Sequence, residues 1–494
     1  MITSWFNLYS LSAEIYLILS VTLLLVYGVL LSNAPNLGFP ILTQNIGWLT
    51  LQVLMLAISL LYSQPFIFLF SWNNFLVTDL LAWNLKLVIL VASFLWVTFT
   101  LSYVTWEKLN SFEFWILSLL AISAMLLVTQ AFDLLSIYLA IEFQSLSFYI
   151  LASFKRNSEF STEAGLKYFI LGAFSSALFL FGSSILYGFT GLTNLHDFTQ
   201  LFYNLNNESN LFILSILFGF SFILAALFFK ISSAPFHMWS PDVYEGSPTS
   251  VTALFSILPK IAIIALLLRF LLFSFQEFSF FWKNLVFVCG ASSLLIGSFS
   301  AFLQTKWKRF LAFSSITHVG FILVAVTAGG VESISNTIFY LIIYVITMIG
   351  IFSFLITLRF FNYPNYYQSR YLLDLTNLGK TNSTLSLALL LLLFSMTGIP
   401  PLAGFFAKFF ILLTSLQSNS IGLAIFVVVI SSISCFYYIK IIKNMYFVNI
   451  SDWAFNYPIT KVASFTLGIS ILFTLCVLFD LENLRYFVTA ISLN

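Results

Sequence analysis

The chain has 494 residues, of which 60% are hydrophobic and 8% charged, whereas a soluble domain carries roughly 25% charged residues; water is excluded as the solvent for most of its surface. A net charge of +2 leaves no basic face for nucleic acid, so none is expected as a partner. Cys289, Cys435 and Cys476 lie far apart in apolar runs, which excludes a CxxC pair, a disulfide framework and an iron–sulfur spacing.

In chain order, the opening residues lack the basic region of a signal peptide and the Arg-rich amphipathic pattern of a transit peptide, so neither is expected. Apolar runs then follow near 11–31, 41–62, 80–104, 113–129, 131–153, 164–189, 211–239, 249–272, 281–303, 308–328, 333–358, 384–416, 420–440 and 462–480. A bilayer core takes about twenty apolar residues per helix, so the expected fold is an all-α membrane protein of about fourteen transmembrane helices forming one polytopic domain over 1–494. An even count puts both termini on one side. Lys108, Lys155, Arg156, Lys167, Lys306, Lys308, Arg309, Arg359, Arg370, Lys380, Lys440, Lys443 and Lys461 then fall on one side, against Arg269, Lys283 and Arg485 on the other. Under the positive-inside rule the termini face away from the compartment of synthesis.

Four lysines are left inside spans: Lys86, Lys230, Lys260 and Lys408. A lysine at the bilayer centre costs about 2.5–3.5 kcal/mol even on the lenient insertion scale, which makes several together a functional signal. Glu14, Asp79 and Lys86 fall near span ends and are expected as boundary residues, Lys86 snorkelling to the interface. Asp133 suits the start of the fifth helix. Glu142 and Lys260 are mid-span, where burial disfavours their charged forms and makes them switchable by a neighbouring charge. Lys230 precedes Pro235 and Lys408 follows Pro400 and Pro401; broken backbone at membrane depth survives where protein or a water-filled cavity satisfies it. Helices 7 and 12 are therefore expected to be broken. Their odd offset suits two inverted five-helix repeats, helices 4–8 (113–272) and 9–13 (281–440), flanked by helices 1–3 (1–105) and helix 14 (462–494). His237, two turns beyond Lys230, and His318 in helix 10 are candidate proton relays or packed polar residues. Asp242 and Glu245 are expected to fix the turn after helix 7. With no GxGxxG, P-loop, HExxH or paired-histidine haem pattern, no cofactor or metal is expected in the chain, and the energy for transport must come from an ion gradient or a partner.

The segments KRNSEFSTEAGLKYFILGAFSSALFLFG (155–182), FKISSAPFHMWSPDVYEGSPTSVTALFSILPK (229–260), AFSSITHVGFI (312–322) and GIPPLAGFFAKF (398–409) resemble the NADH dehydrogenase subunit 2 family, antiporter-like membrane subunits of respiratory complex I. The fourteen-helix length resembles the bacterial, plant and protist forms. The resemblance implies that Glu142 and Lys230 form a modulating ion pair, that Lys260 is a central relay and that Lys408 exchanges protons with the outlet or the next subunit. It implies proton translocation coupled to electron transfer from NADH to ubiquinone, with FMN, iron–sulfur clusters and ubiquinone in other subunits. Implied partners are the neighbouring antiporter-like subunit, small membrane subunits and lipid. The sixty phenylalanines fit an AT-rich organellar genome and so the mitochondrial inner membrane, with the termini toward the intermembrane space; a bacterial plasma membrane is the alternative. Two rival readings are a stand-alone cation/proton antiporter subunit and a membrane-arm scaffold without its own pumping.

Overall fold

A computed structural model describes residues 7–32, 40–64, 68–107, 109, 111–203, 210–362, 365–448, 455–456 and 460–492; Lys108 lies outside them. Uninterrupted apolar runs fold as helices, because a helix satisfies its backbone polar groups internally where no water can. In chain order these are α1 (Ser12–Ser32), α2 (Pro40–Ser63), α3 (Leu80–Trp106), α4 (Glu113–Gln130), α5 (Leu134–Ala152), α6 (Glu159–Thr190), α7 (Asn210–Ile231), α8 (Thr249–Leu268), α9 (Ser279–Leu303), α10 (Trp307–Ala328) and α11 (Val331–Thr357). They are followed by α12 (Ser383–Thr397), α13 (Ala403–Gln417), α14 (Ile421–Phe447), α15 (Lys461–Cys476) and α16 (Leu481–Ser492).

Among the described residues twelve helices are long and apolar enough to cross a membrane alone. α15 turns by 95° into α16, which makes thirteen if that bent pair is one span, and α12 and α13 are shorter apolar helices; the count is approximately the expected fourteen. Both breaks fall where the prolines placed them. α7 stops at Ile231 and a short helix, Trp239–Gly246, resumes the chain; α12 stops at Thr397.

Polar residues set the helix ends. Asp79 accepts a hydrogen bond from the Ala82 amide at the start of α3, and Asp133 caps α5 in a capping box with Ser136, each satisfying amides left unpaired in a first turn. At one end of the bundle the hairpin of β1 (Leu69–Ser71) and β2 (Leu76–Thr78) precedes α3. At the opposite end β3 (Arg359–Asn362) pairs antiparallel with both β4 (Asn365–Gln368) and β5 (Phe455–Asn456).

The core centres on α8, every residue of which is buried; it is packed by α3, α4, α7, α10 and α11. A helix enclosed on all sides by other helices can carry a charge away from lipid. Its last turns widen into a π-helix over Arg269–Ser274.

Candidate functional site

Lys260 owes its surroundings to the residue before it. Pro259 lies inside α8, so it has no amide to give to the Phe255 carbonyl four residues earlier, and its ring crowds that carbonyl. The Tyr244 hydroxyl donates to the Phe255 oxygen at 3.2 Å, and Tyr344, from α11, donates to the Ser256 oxygen at 3.0 Å. The Tyr344 oxygen in turn accepts from Lys260 Nζ at 3.0 Å, and the Ser315 carbonyl accepts from it at 3.4 Å. The ammonium also lies 5.1 Å from the Tyr344 ring centre. Burying an ammonium demands such compensation, and here the helix defect at Pro259 positions it.

One turn beyond Ser315, His318 lies 2.7 Å through Nδ1 from the Tyr340 hydroxyl and 3.4 Å through Nε2 from the Tyr438 hydroxyl, and its ring centre is 5.4 Å from that of Tyr344. A cleft of about 10 Å³, bounded by His318, Tyr340, Tyr344 and Lys408, is at the lower limit of room for one water. Lys408 Nζ donates to the Thr397 carbonyl at 2.7 Å. That carbonyl ends α12, where unpaired oxygens and the helix dipole favour a cation.

The break that presents this carbonyl requires two glycines. Gly398 has a φ of +84°, the left-handed conformation of a helix C-cap. A Cβ at Gly404 would stand 1.6 Å from the Ser395 oxygen, so α13 approaches α12 more closely than any side chain permits. Lys260, His318 and Lys408 are thus gathered on α8, α10 and α13 around tyrosines of α11 and α14.

Glu142 and Lys230 stand apart from this group. Glu142 lies at mid-length of α5, on the same helix face as the exposed Leu135, Leu139, Leu146 and Ile150; its Oε2 accepts from the Ser145 hydroxyl at 3.2 Å, while Oε1 has no partner. Lys230 ends α7 with its Nζ buried and unpartnered beside a cleft of about 10 Å³ lined by Tyr138, Ser175, Ser176 and Phe179. The ion pair implied by the resemblance is not formed in this structure, where neither Lys230 Nζ nor Glu142 Oε1 has a partner. His237 does not share the face of Lys230, since α7 has already ended; Ser232 takes a φ of +62° and the chain turns. His237 is buried and its Nδ1 is unpartnered.

Several charges expected at boundaries are instead paired inside the protein. Lys86 and Glu14 are each 1% exposed and form an ion pair, because neighbouring helices close over the span ends that were expected to open on the interface. Arg269, expected in a loop, donates to both Asp79 oxygens at 2.8 Å and to the Thr129 carbonyl at 2.8 Å. At the opposite end Asp242 and Glu245 do more than fix a turn: Asp242 meets Arg309 at 2.6 Å and Lys167 at 3.1 Å, and Glu245 meets Arg309 at 2.8 Å and also Lys306. Glu107 similarly joins Lys155 at 2.9 Å.

The tyrosines were missed from the sequence, where Tyr340, Tyr344 and Tyr438 read as ordinary aromatics in apolar runs. The available signal was Pro259 beside Lys260, a helix defect whose freed carbonyl needs a donor. Among the described residues no group of three or more His, Cys, Asp or Glu side chains could hold a metal ion.

The family model described as NADH:quinone oxidoreductase/Mrp antiporter, TM, matches residues 131–434. NADH-ubiquinone oxidoreductase chain 2 of Marchantia polymorpha is 42% identical over 93% of each chain, and NADH-quinone oxidoreductase subunit N of Paramagnetospirillum magneticum is 37% identical over 87% of each. Among solved structures, a chain of respiratory complex I from Thermus thermophilus superposes with a TM-score of 0.77 at 26% identity, covering 96% of this chain and 98% of that one. The chain belongs to the family of chain 2, or subunit N, of NADH:quinone oxidoreductase, as its motifs implied.

Proposed function

We propose that the chain is a core membrane-arm subunit of a proton-pumping NADH:ubiquinone oxidoreductase and moves protons across the membrane while other subunits, holding FMN, iron–sulfur clusters and ubiquinone, pass electrons from NADH to the quinone. The observation that carries this reading is the polar file through the core, in which Lys260 bonds Tyr344, His318 is held between Tyr340 and Tyr438, and Lys408 shares a cleft with His318. Tyr344 links the two halves of the file, bonded to Lys260 and with its ring centre 5.4 Å from that of His318, and proton transfer needs such a chain of polar groups.

Glu142 and Lys230 act as the input. Glu142 lies on an exposed helix face, so a charge change in an adjoining antiporter-like subunit reaches it directly, and its field reaches Lys230. The altered field shifts the proton between Lys260 and His318, and Lys408 passes it toward the outlet; His237 serves the access path of Lys230. Two inverted five-helix repeats centred on the two breaks, 113–272 and 281–440, place Lys230 and Lys408 in corresponding positions. The setting is the mitochondrial inner membrane with both termini toward the intermembrane space, in contact with small membrane subunits and lipid; the distribution of basic residues and the plant relatives support it.

The test is Lys260→Met in the assembled enzyme reconstituted into liposomes. Methionine fills similar volume without a titratable group, so NADH:quinone electron transfer continues while protons pumped per NADH fall; an unchanged ratio removes Lys260 from the path.

A further inference from the structure

Glu14 and Lys86 belong to helices that the proposed proton file does not use, yet their depth matches its centre. α3 and α8 run antiparallel and are cross-linked at two points: Asp79 pairs with Arg269, and the Trp96 indole donates to the Ser250 carbonyl at 2.8 Å. Counting along the two helices from either link brings Lys86 level with Lys260–Ala262, since both rise equally per residue. Lys86 therefore stands at the depth of Lys260 on a helix packed directly against α8, facing Glu14 of α1 instead of the α10–α11 side.

Three features set this pair apart from a surface ion pair. Both side chains are wholly enclosed, so each would be a buried uncompensated charge without the other. A second pair, Asp79–Arg269, ties the start of the Lys86 helix to the far end of the Lys260 helix. Polar side chains also lead from the β1–β2 end of the bundle toward Glu14. Ser10 lies one turn before it, the Gln64 amide donates to the Ser12 hydroxyl at 3.0 Å, and the Gln130 amide donates to the Ser10 carbonyl at 3.4 Å while its own carbonyl oxygen is buried and unpartnered. An apolar pair of equal volume would stabilise this corner at least as well, so stability alone does not account for the charges.

We infer that Glu14 and Lys86 form a second switchable ion pair, level with Lys260, whose closing and opening biases the proton on Lys260 through the field along α8; helices α1–α3 are then a working part of the pump. The inference rests on the proposed role of Lys260. Lys86 and Glu14 are positioning residues: no proton of the main file passes through them.

The experiment uses the assembled enzyme in liposomes, reading protons pumped per NADH alongside NADH:quinone rate and the amount of assembled complex. Lys86→Met and Glu14→Gln are each expected to lower the pumping ratio about twofold or more, and Lys86→Arg to restore it. The double variant Glu14→Gln/Lys86→Met buries no lone charge, so it covers the case in which a single variant fails to assemble; a lowered ratio in it supports the inference. Normal pumping per assembled complex in the double variant, with or without reduced assembly, overturns it and makes the pair structural. Lys260→Met in the same preparation separates the two readings: if it lowers the ratio and the Lys86 variants do not, only this inference falls.

Discussion

The two broken spans solve one problem in opposite ways. At the α12–α13 break Lys408 comes to rest on the Thr397 carbonyl that the break exposes, in a joint so close that Gly404 admits no Cβ. At the α7 break the freed carbonyls are taken by others: the Trp239 indole donates to Phe229 at 2.9 Å and the Ser233 amide to Phe228 at 3.0 Å. Lys230 is left with no partner. A proline-broken helix thus does not by itself create a lysine site. Which side chain reaches the freed oxygens first decides whether the lysine is held or is free to answer a distant charge.

The comparison breaks most sharply at Gly404. Gly404→Ala drives a methyl group into the Ser395 carbonyl, which forces α12 and α13 apart; overpacking of this kind typically costs about 1–3 kcal/mol or more. A clear fall in the melting temperature and in the yield of assembled complex is expected, and an unchanged melting profile would show that the joint can open without cost.

The lysines themselves give the next effect, and it differs between the two sites. Lys408→Leu orphans the Thr397 carbonyl and should cost about 1–3 kcal/mol. Lys230→Leu removes a buried donor that bonds nothing, and should leave stability unchanged or raised, even as pumping falls. Thermal unfolding of the two variants side by side reads the difference, and equal losses would erase the distinction drawn here. Tyr344→Phe comes third: it removes the second donor to the Ser256 carbonyl and leaves Lys260 only the longer Ser315 bond. A loss of about 1 kcal/mol and slower pumping are expected, against no change in either if a water replaces the hydroxyl.

How far the sequence reveals this depends on whether the signal is local. Spans, breaks and the mid-span charges Glu142 and Lys260 are legible because each is a contrast within one short window: a charge in an apolar run, or a proline in a helix. Lys86 and Glu14 are not, because what buries them is the packing of α2 and α4 against both α1 and α3, and a lysine two turns inside a helix reads the same whether lipid or another helix lies beside it. Arg269 misleads similarly, since its partner Asp79 is distant in sequence. The tyrosines are illegible for a different reason: a buried tyrosine differs from a phenylalanine only by a hydroxyl, whose use is set by which carbonyls another helix has freed. The absent Glu142–Lys230 contact is illegible as well, because spacing along the chain does not say which side chains on different helices meet.

The smallest effect belongs to the rim below the first break, where Arg309 bridges Asp242 and Glu245. These groups are partly exposed, at 40%, 35% and 21%, so water screens them and each pair contributes about 0–1 kcal/mol. Arg309→Met should therefore lower stability by no more than about 1 kcal/mol, and the loss should shrink as salt rises, because added ions already weaken the wild-type pairs. Lys230 and Lys408 sit in buried clefts, so the loss from Lys408→Leu, and the absence of one from Lys230→Leu, should stay the same across the salt range. Melting curves at low and high ionic strength separate the cases: if the Arg309→Met loss is as insensitive to salt as that of Lys408→Leu, the rim is buried against partner surfaces in the assembled enzyme and belongs with the core.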